Sequence, residues 1–144
     1  MPERAGGIQA GRAALALLLL LAACGPPEGP QPIAWDREPC AHCRMLISEP
    51  GFAAQLQLRD GSVESFDDPG CLFARLDARP GHVHALWFHH LREDRWLPGD
   101  GVAFVRVAPT PMDFGFGAVD PGTPGSFPLE AVRAELRARA ADAR

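Results

Sequence analysis

An unbroken apolar run, Ala13 to Leu21, ends in Leu21-Ala22-Ala23-Cys24 and follows Arg4 and Arg12. Positive charge, then an apolar stretch, then small residues is the pattern of a secretory signal. From Ala13 to Cys24 the run covers 12 residues, whereas a helix that crosses a bilayer needs about 20. The segment therefore reads as an export signal and not as a permanent span. Leu-Ala-Ala-Cys has the form of a bacterial lipoprotein box, in which Cys24 becomes the acylated first residue of the mature chain. A plain cut near Ala23 would instead leave Cys24 as an odd thiol in an oxidising compartment. With residues 1–23 set aside as signal, 121 residues are left to fold, enough for one small domain.

Of these, Gly25 to Pro32 (Gly-Pro-Pro-Glu-Gly-Pro-Gln-Pro) has no large apolar side chain. Residues 24–34 are expected to be the lipidated Cys and a semi-extended tether, and 35–144 the folded domain, starting near Trp35. At about 3.1 Å per residue for polyproline-like chain, the tether would hold that domain about 25 Å from the lipid. Charge narrows the partners. The whole chain has a net charge of −4, and all 14 of its basic residues are Arg. Without a clustered basic stripe it is not built for a phosphate backbone, so nucleic acid is not an expected partner. The lack of Lys excludes Schiff-base chemistry and a P-loop.

Phe52 to Leu58 turns to apolar/polar alternation at its end, Asp60-Gly61 is a hairpin turn signal, and Val63 to Phe66 resumes as a second strand. Asp67 or Asp68 can cap a helix with Pro69 in its first turn, running to the breaker Pro80-Gly81. Val83 to Leu91 is rich in β-formers and completes a ββαβ unit. Strands are expected over Val102–Val107 and Phe114–Val119, and a helix over Leu129–Ala140, whose Leu129, Val132 and Leu136 recur at helical spacing. The order predicts an α+β fold, two helices on a small antiparallel sheet.

Chemistry concentrates in Cys40-Ala-His-Cys43-Arg-Met45. Two residues between the thiols let both sulfurs face one point, which suits a redox couple, a disulfide or two metal ligands. Haem attachment needs His after the second Cys, and Arg44 stands there. There is no second Cys-x-x-Cys, so structural zinc would have to draw on His82, His84, His89 or His90. Met45, and Met112 in the loop Thr110-Pro-Met-Asp113, favour a soft ion such as Cu(I), because thioether and thiolate are soft ligands. Met45 could equally pack inward with Leu46 and Ile47, since most methionines fill cores. Cys71 reads first as a buried helix residue and second as a ligand or resolving thiol. Asp67-Asp68 reads chiefly as a helix cap.

The stretch Trp35-Asp-Arg-Glu-Pro-Cys-Ala-His-Cys-Arg-Met-Leu-Ile47 resembles the N-terminal motif of the nitrous oxide reductase accessory protein NosL family. Phe66-Asp-Asp-Pro-Gly-Cys-Leu-Phe73 resembles that family's approach to its first helix, and Thr110-Pro-Met-Asp-Phe-Gly-Phe116 its Pro-Met loop. The resemblance implies a periplasm-facing lipoprotein, not an enzyme, that binds one Cu(I) and delivers it for assembly of the copper centres of nitrous oxide reductase, in denitrification. It implies two ββαβ-like units similar to the organomercurial lyase core. It carries the metal role onto Cys43 and Met112 foremost, with Cys40 and Met45, and adds a histidine not fixed among His42, His84, His89 and His90. The partners would be the copper-accepting reductase or its assembly machinery, and the membrane through the lipid on Cys24. Gly25, where Asp would favour inner-membrane retention, points to the outer membrane. Arg44 and Asp113 stand where the family usually has Gly. Two rival readings are a thiol-disulfide redox lipoprotein using Cys40 and Cys43, and an interaction lipoprotein with a structural disulfide.

Overall fold

The computed structural model describes residues 25–79 and 81–143. The signal segment 1–23 and the acylation site Cys24 lie outside the described residues. Strands β1 (Ala54–Leu58) and β2 (Val63–Phe66) are followed by helix α1 (Pro69–Ala78), then by β3 (Val83–His89) and β4 (Trp96–Pro98). Next come β5 (Ala103–Arg106), β6 (Phe116–Val119), β7 (Phe127–Pro128) and helix α2 (Leu129–Asp142). No helix among the described residues is long and apolar enough to cross a membrane.

Each element has a local cause. Asp60 accepts a hydrogen bond from the Ser62 amide at 2.9 Å, and Gly61 supplies the positive φ of 87° that closes the β1–β2 turn. Asp68 is the cap of α1: it accepts from the Gly70 amide at 2.9 Å, and Pro69 occupies the first turn, where a missing N–H costs nothing. In α2, Val132 and Leu136 are buried, as the spacing predicts.

The α+β class is as expected, with the strands divided into two antiparallel sheets. One has the order β2-β1-β3-β4 and the other β6-β5-β7. They touch through one parallel bridge, His90 to Ala118, and the Leu91 amide donates to the Ala118 carbonyl at 2.7 Å. Strands β4 and β7 have no signature in the chain, because they are three and two residues long and each contains a Pro. Only their partners β3 and β5 make them strands. The expected strand from Phe114 begins at Phe116, since Gly115 turns the chain at φ 84°.

A triad of rings joins the layers: Phe73 of α1, Phe88 of β3 and Phe104 of β5, with centroids 5.1 to 5.7 Å apart. All three are at most 1% exposed, and burial of each contributes about 1.5–3 kcal/mol. At the surface, Asp77 of α1 accepts from Arg133 and Arg137 of α2, both at 2.8 Å, which sets the two helices side by side.

The proline-rich segment is not a free tether along its whole length. Gln31 pairs with Gln55 as one strand would with another: its amide donates to Gln55 Oε1 at 2.7 Å, and Gln55 Nε2 donates back to the Gln31 carbonyl at 2.8 Å. Gln57 donates to the Gly29 carbonyl, and Ile33 joins the core. Gln55 and Gln57, polar positions of the alternating strand, are consequently fully buried. The folded body reaches back past Trp35 to Gly29. Gln55→Ala removes both bonds to the strap and leaves its backbone unpaired, so we expect a loss of about 1–3 kcal/mol. Hydrogen exchange at residues 29–33 should rise while exchange in β3 stays slow.

Candidate metal centre

The Cys40–Met45 segment is a tight turn. Pro39 and Leu46 pair across its base, Cys40 donates to the Met45 carbonyl at 2.8 Å, and Arg44 donates to the Cys40 carbonyl at 3.1 Å. Arg44 sits at φ 71°, a left-handed conformation that favours Gly. The turn is pinned to the end of β2 by the Ala41 amide, which donates to the Ser65 carbonyl at 2.9 Å. That contact sets the thiols beside Asp67 and the start of α1.

Four donors converge there. The sulfurs of Cys40, Cys43 and Cys71 and a carboxylate oxygen of Asp67 all lie within 4.8 Å of one another. Cys40 and Cys71 are fully buried, Asp67 is 2% exposed, and Cys43 is half-buried at the rim. The Cys43 thiol donates to both oxygens of Asp67, at 3.4 and 3.5 Å. All three thiols are free. Hydrogen bonding from the Cys71 thiol brings Cys40 down from the usual thiol value to about 6, against the opposing effect of burial. The same contact, reinforced by burial, pushes Cys71 up. Burial also raises Cys43, to about 11. Within the cluster Cys40 thus gives up its proton most readily, while Cys43 and Cys71 hold theirs more tightly. A metal ion that enters replaces those protons, because thiolate and not thiol is the ligand.

Met112 is held next to this cluster by its backbone. Asp68, whose Oδ1 caps α1, accepts from the Met112 amide through Oδ2 at 3.1 Å. The Phe114 ring lies so close on α1 that a Cβ at Gly70 would fall 2.0 Å from a ring carbon. The Met112 side chain is 37% exposed and that of Met45 60% exposed, so Met45 does not fill the core beside Ile47. Asp113, like Arg44, has a positive φ, 61°. Both residues therefore sit on a backbone that suits Gly.

The convergent donors include no histidine. His42 is exposed on the outside of the turn and lines, with Gly70 and Phe114, the end of a groove of about 440 Å³ between α1 and α2. His82 and His84 are exposed. His89 is buried between the His90 carbonyl at 3.0 Å and Asp94 at 3.2 Å. His90 accepts the amides of Arg92 and Glu93 on Nδ1, at 3.2 and 3.1 Å. Its proton is thereby placed on Nε2, which faces Glu93 and Asp120. That arrangement denies a cation the second lone pair, and Arg95 already bridges the two carboxylates. Zinc held by the Cys pair and these histidines has no geometric basis here.

The sequence alone places Cys71 in the core first and gives Asp67 no role beyond capping. The local signal was present in Phe66-Asp-Asp-Pro-Gly-Cys71. Once Asp68 is the cap, Asp67 and Cys71 flank it at the mouth of the helix. The redox reading loses support, since Cys40 is the low-pKa thiol but has no exposure and sits in a turn, not at the helix start that such enzymes use.

Comparison with family models and with curated proteins finds no match. Among solved structures, the chain is similar to the copper chaperone NosL from Shewanella denitrificans, at 21% identity and a TM-score of 0.52, over 79% of this chain and 89% of that one. The two share a fold. The alignment extends over nearly the whole of the other protein.

The lowered pKa of Cys40 makes stability depend on pH. Its proton leaves the folded state at about 6 and the unfolded chain near 9.0, so between these limits the unfolded state holds more protons and stability rises with pH. Urea midpoints of the reduced protein with chelator should climb from pH 6 toward pH 9. Cys40→Ser should flatten that rise.

Proposed function

We propose that this protein is a lipid-anchored carrier of Cu(I), which takes the ion at the Cys40–Met45 turn and the Pro-Met loop and hands it to an acceptor. One observation carries the reading: the sulfurs of the buried Cys40 and of the half-buried Cys43 converge beside Cys71 and Asp67, on a fold shared with a copper chaperone. The proposed ligands are Cys43 and Met112, with Cys40 and Met45.

Their placement suits transfer. Thiolate and thioether are soft donors matched to Cu(I). Met45 and Met112 are exposed and on loops, so a ligand of the acceptor can add to the ion from solvent before a cysteine lets go. Low coordination number and an open outer side let exchange proceed without unfolding. The chain moves the ion and carries out no turnover.

The acceptor we propose is nitrous oxide reductase, at its copper centres, or the machinery that assembles them. The chain would face the periplasm from a lipid on Cys24, in the outer membrane by the residue at position 25. These statements rest on the lipoprotein box and on the motifs around Cys43 and Met112.

The test is an anaerobic competition of the full chain in detergent against a chromophoric Cu(I) chelator. Wild type should withdraw about one equivalent, and Cys43→Ser and Met112→Leu should each weaken binding at least about tenfold, or about 1.4 kcal/mol. Failure of the reduced wild type to compete would end the copper reading.

A further inference from the structure

The strap fixes the side of the fold on which Cys24 lies. Gln31 bonds at Gln55 and Gly29 at Gln57, so, traced backwards from Ile33, the strap runs along β1 toward the β1–β2 turn at Asp60-Gly61. Only Gly25 to Glu28 separate its last bond from Cys24, and such a stretch of proline-rich chain spans about 12 Å at most. Pro26 and Pro27 are half-buried, which shortens the free length further. A lipid on Cys24 would therefore lie beside the hairpin turn. The metal cluster is at the other end of the same layer. Helix α1 starts beside it and runs 10 residues, about 15 Å, toward the hairpin. There Arg75 donates to Glu64 of β2 at 2.7 Å, and the Arg59 amide donates to the His82 carbonyl at 2.8 Å.

We infer that the hairpin end of the fold rests on an anionic phospholipid surface, with Arg59 and Arg79 on the phosphates and the metal centre turned to solvent. This rests on the acylation of Cys24 proposed above and gives that anchor a face. Arg59 and Arg79 are exposed and paired with no carboxylate among the described residues. The nearby acids do not cover them. Asp60 Oδ1 takes the amide and the hydroxyl of Ser62, at 2.9 and 2.6 Å, Glu64 is held by Arg75, and Glu28 is exposed on the linker. Between the hairpin and α1 a cavity of about 350 Å³ is floored by Leu56 and Leu58 and rimmed by Arg79 and His82, which offers a headgroup an apolar floor and a cation. Arginines are drawn to an anionic bilayer within about a Debye length, and the short linker keeps these two there. Arg37 and Arg44 are exposed too, but they stand at the metal turn, where the linker does not lead. An acceptor then meets the ion from the solvent side, about 15 Å or more above the headgroups.

The experiment places the full chain, extracted from bacterial membranes, in phosphatidylglycerol vesicles doped with a phospholipid that carries a photoactivatable diazirine in its headgroup. Mass spectrometry locates the cross-links and weighs the N-terminal peptide for its acyl group. Cross-links should concentrate on 58–62 and 81–84 and be at least about fivefold scarcer on 40–45 and 110–115. Arg59→Glu combined with Arg79→Glu should cut those at the hairpin end at least about threefold, and circular dichroism checks that the variant folds. Should it not fold, wild type in about 0.5 M salt should show the same loss. Cross-links on the 40–45 turn, or spread evenly over the surface, overturn the orientation while an acylated peptide keeps the anchor. Cross-links unchanged in the folded variant, or in salt where it does not fold, overturn the orientation as well. An N-terminal peptide without an acyl group removes the anchored reading and this face with it. A sample that cross-links at the hairpin but loses the Cu(I) competition upholds this face and removes the copper reading alone.

Discussion

The buried carboxylate of Asp68 organises the region on which the rest depends. One oxygen takes the Gly70 amide and starts α1, and the other takes the Met112 amide from 44 residues away. Burial raises its pKa, against the pull of these partners. A single fully buried side chain thus sets both where the helix bearing Cys71 begins and where the Pro-Met loop lies. The Phe114 ring on Gly70 locks the same joint from the apolar side. Larger side chains at position 70 would push the loop away from the helix mouth.

Around that joint the soft donors are sorted by depth. Cys40 and Cys71 are sealed, Cys43 is at the rim, and the two methionines reach solvent. A sealed donor favours retention, since it cannot be replaced from outside, while an exposed thioether favours exchange.

Much of the remaining polar chemistry is structural. His89 and His90 are consumed by backbone carbonyl and amide partners at the junction of the two sheets. Asp77 and its two arginines fasten α1 to α2. Gln55 and Gln57 act as strand edges for the strap at residues 29–33. A row of polar residues, read along the chain, looks solvated or functional. Here it serves to satisfy backbone groups that packing has removed from water.

The sequence by itself determined the hairpin at Asp60-Gly61, the cap and first turn of α1, the α2 face and the Cys-x-x-Cys pair. Each of these depends on residues within a few places of one another, where turn, cap and periodicity rules operate. Tertiary structure alone decided the rest. It brought Cys71 and Asp67 to Cys40 and Cys43, left both methionines exposed, kept every histidine out of the cluster and laid the proline-rich strap on β1. Those outcomes rest on contacts 24 to 44 residues apart. Packing of the Phe73, Phe88 and Phe104 rings draws such distant segments together, and no local pattern records which side chains will meet as a result.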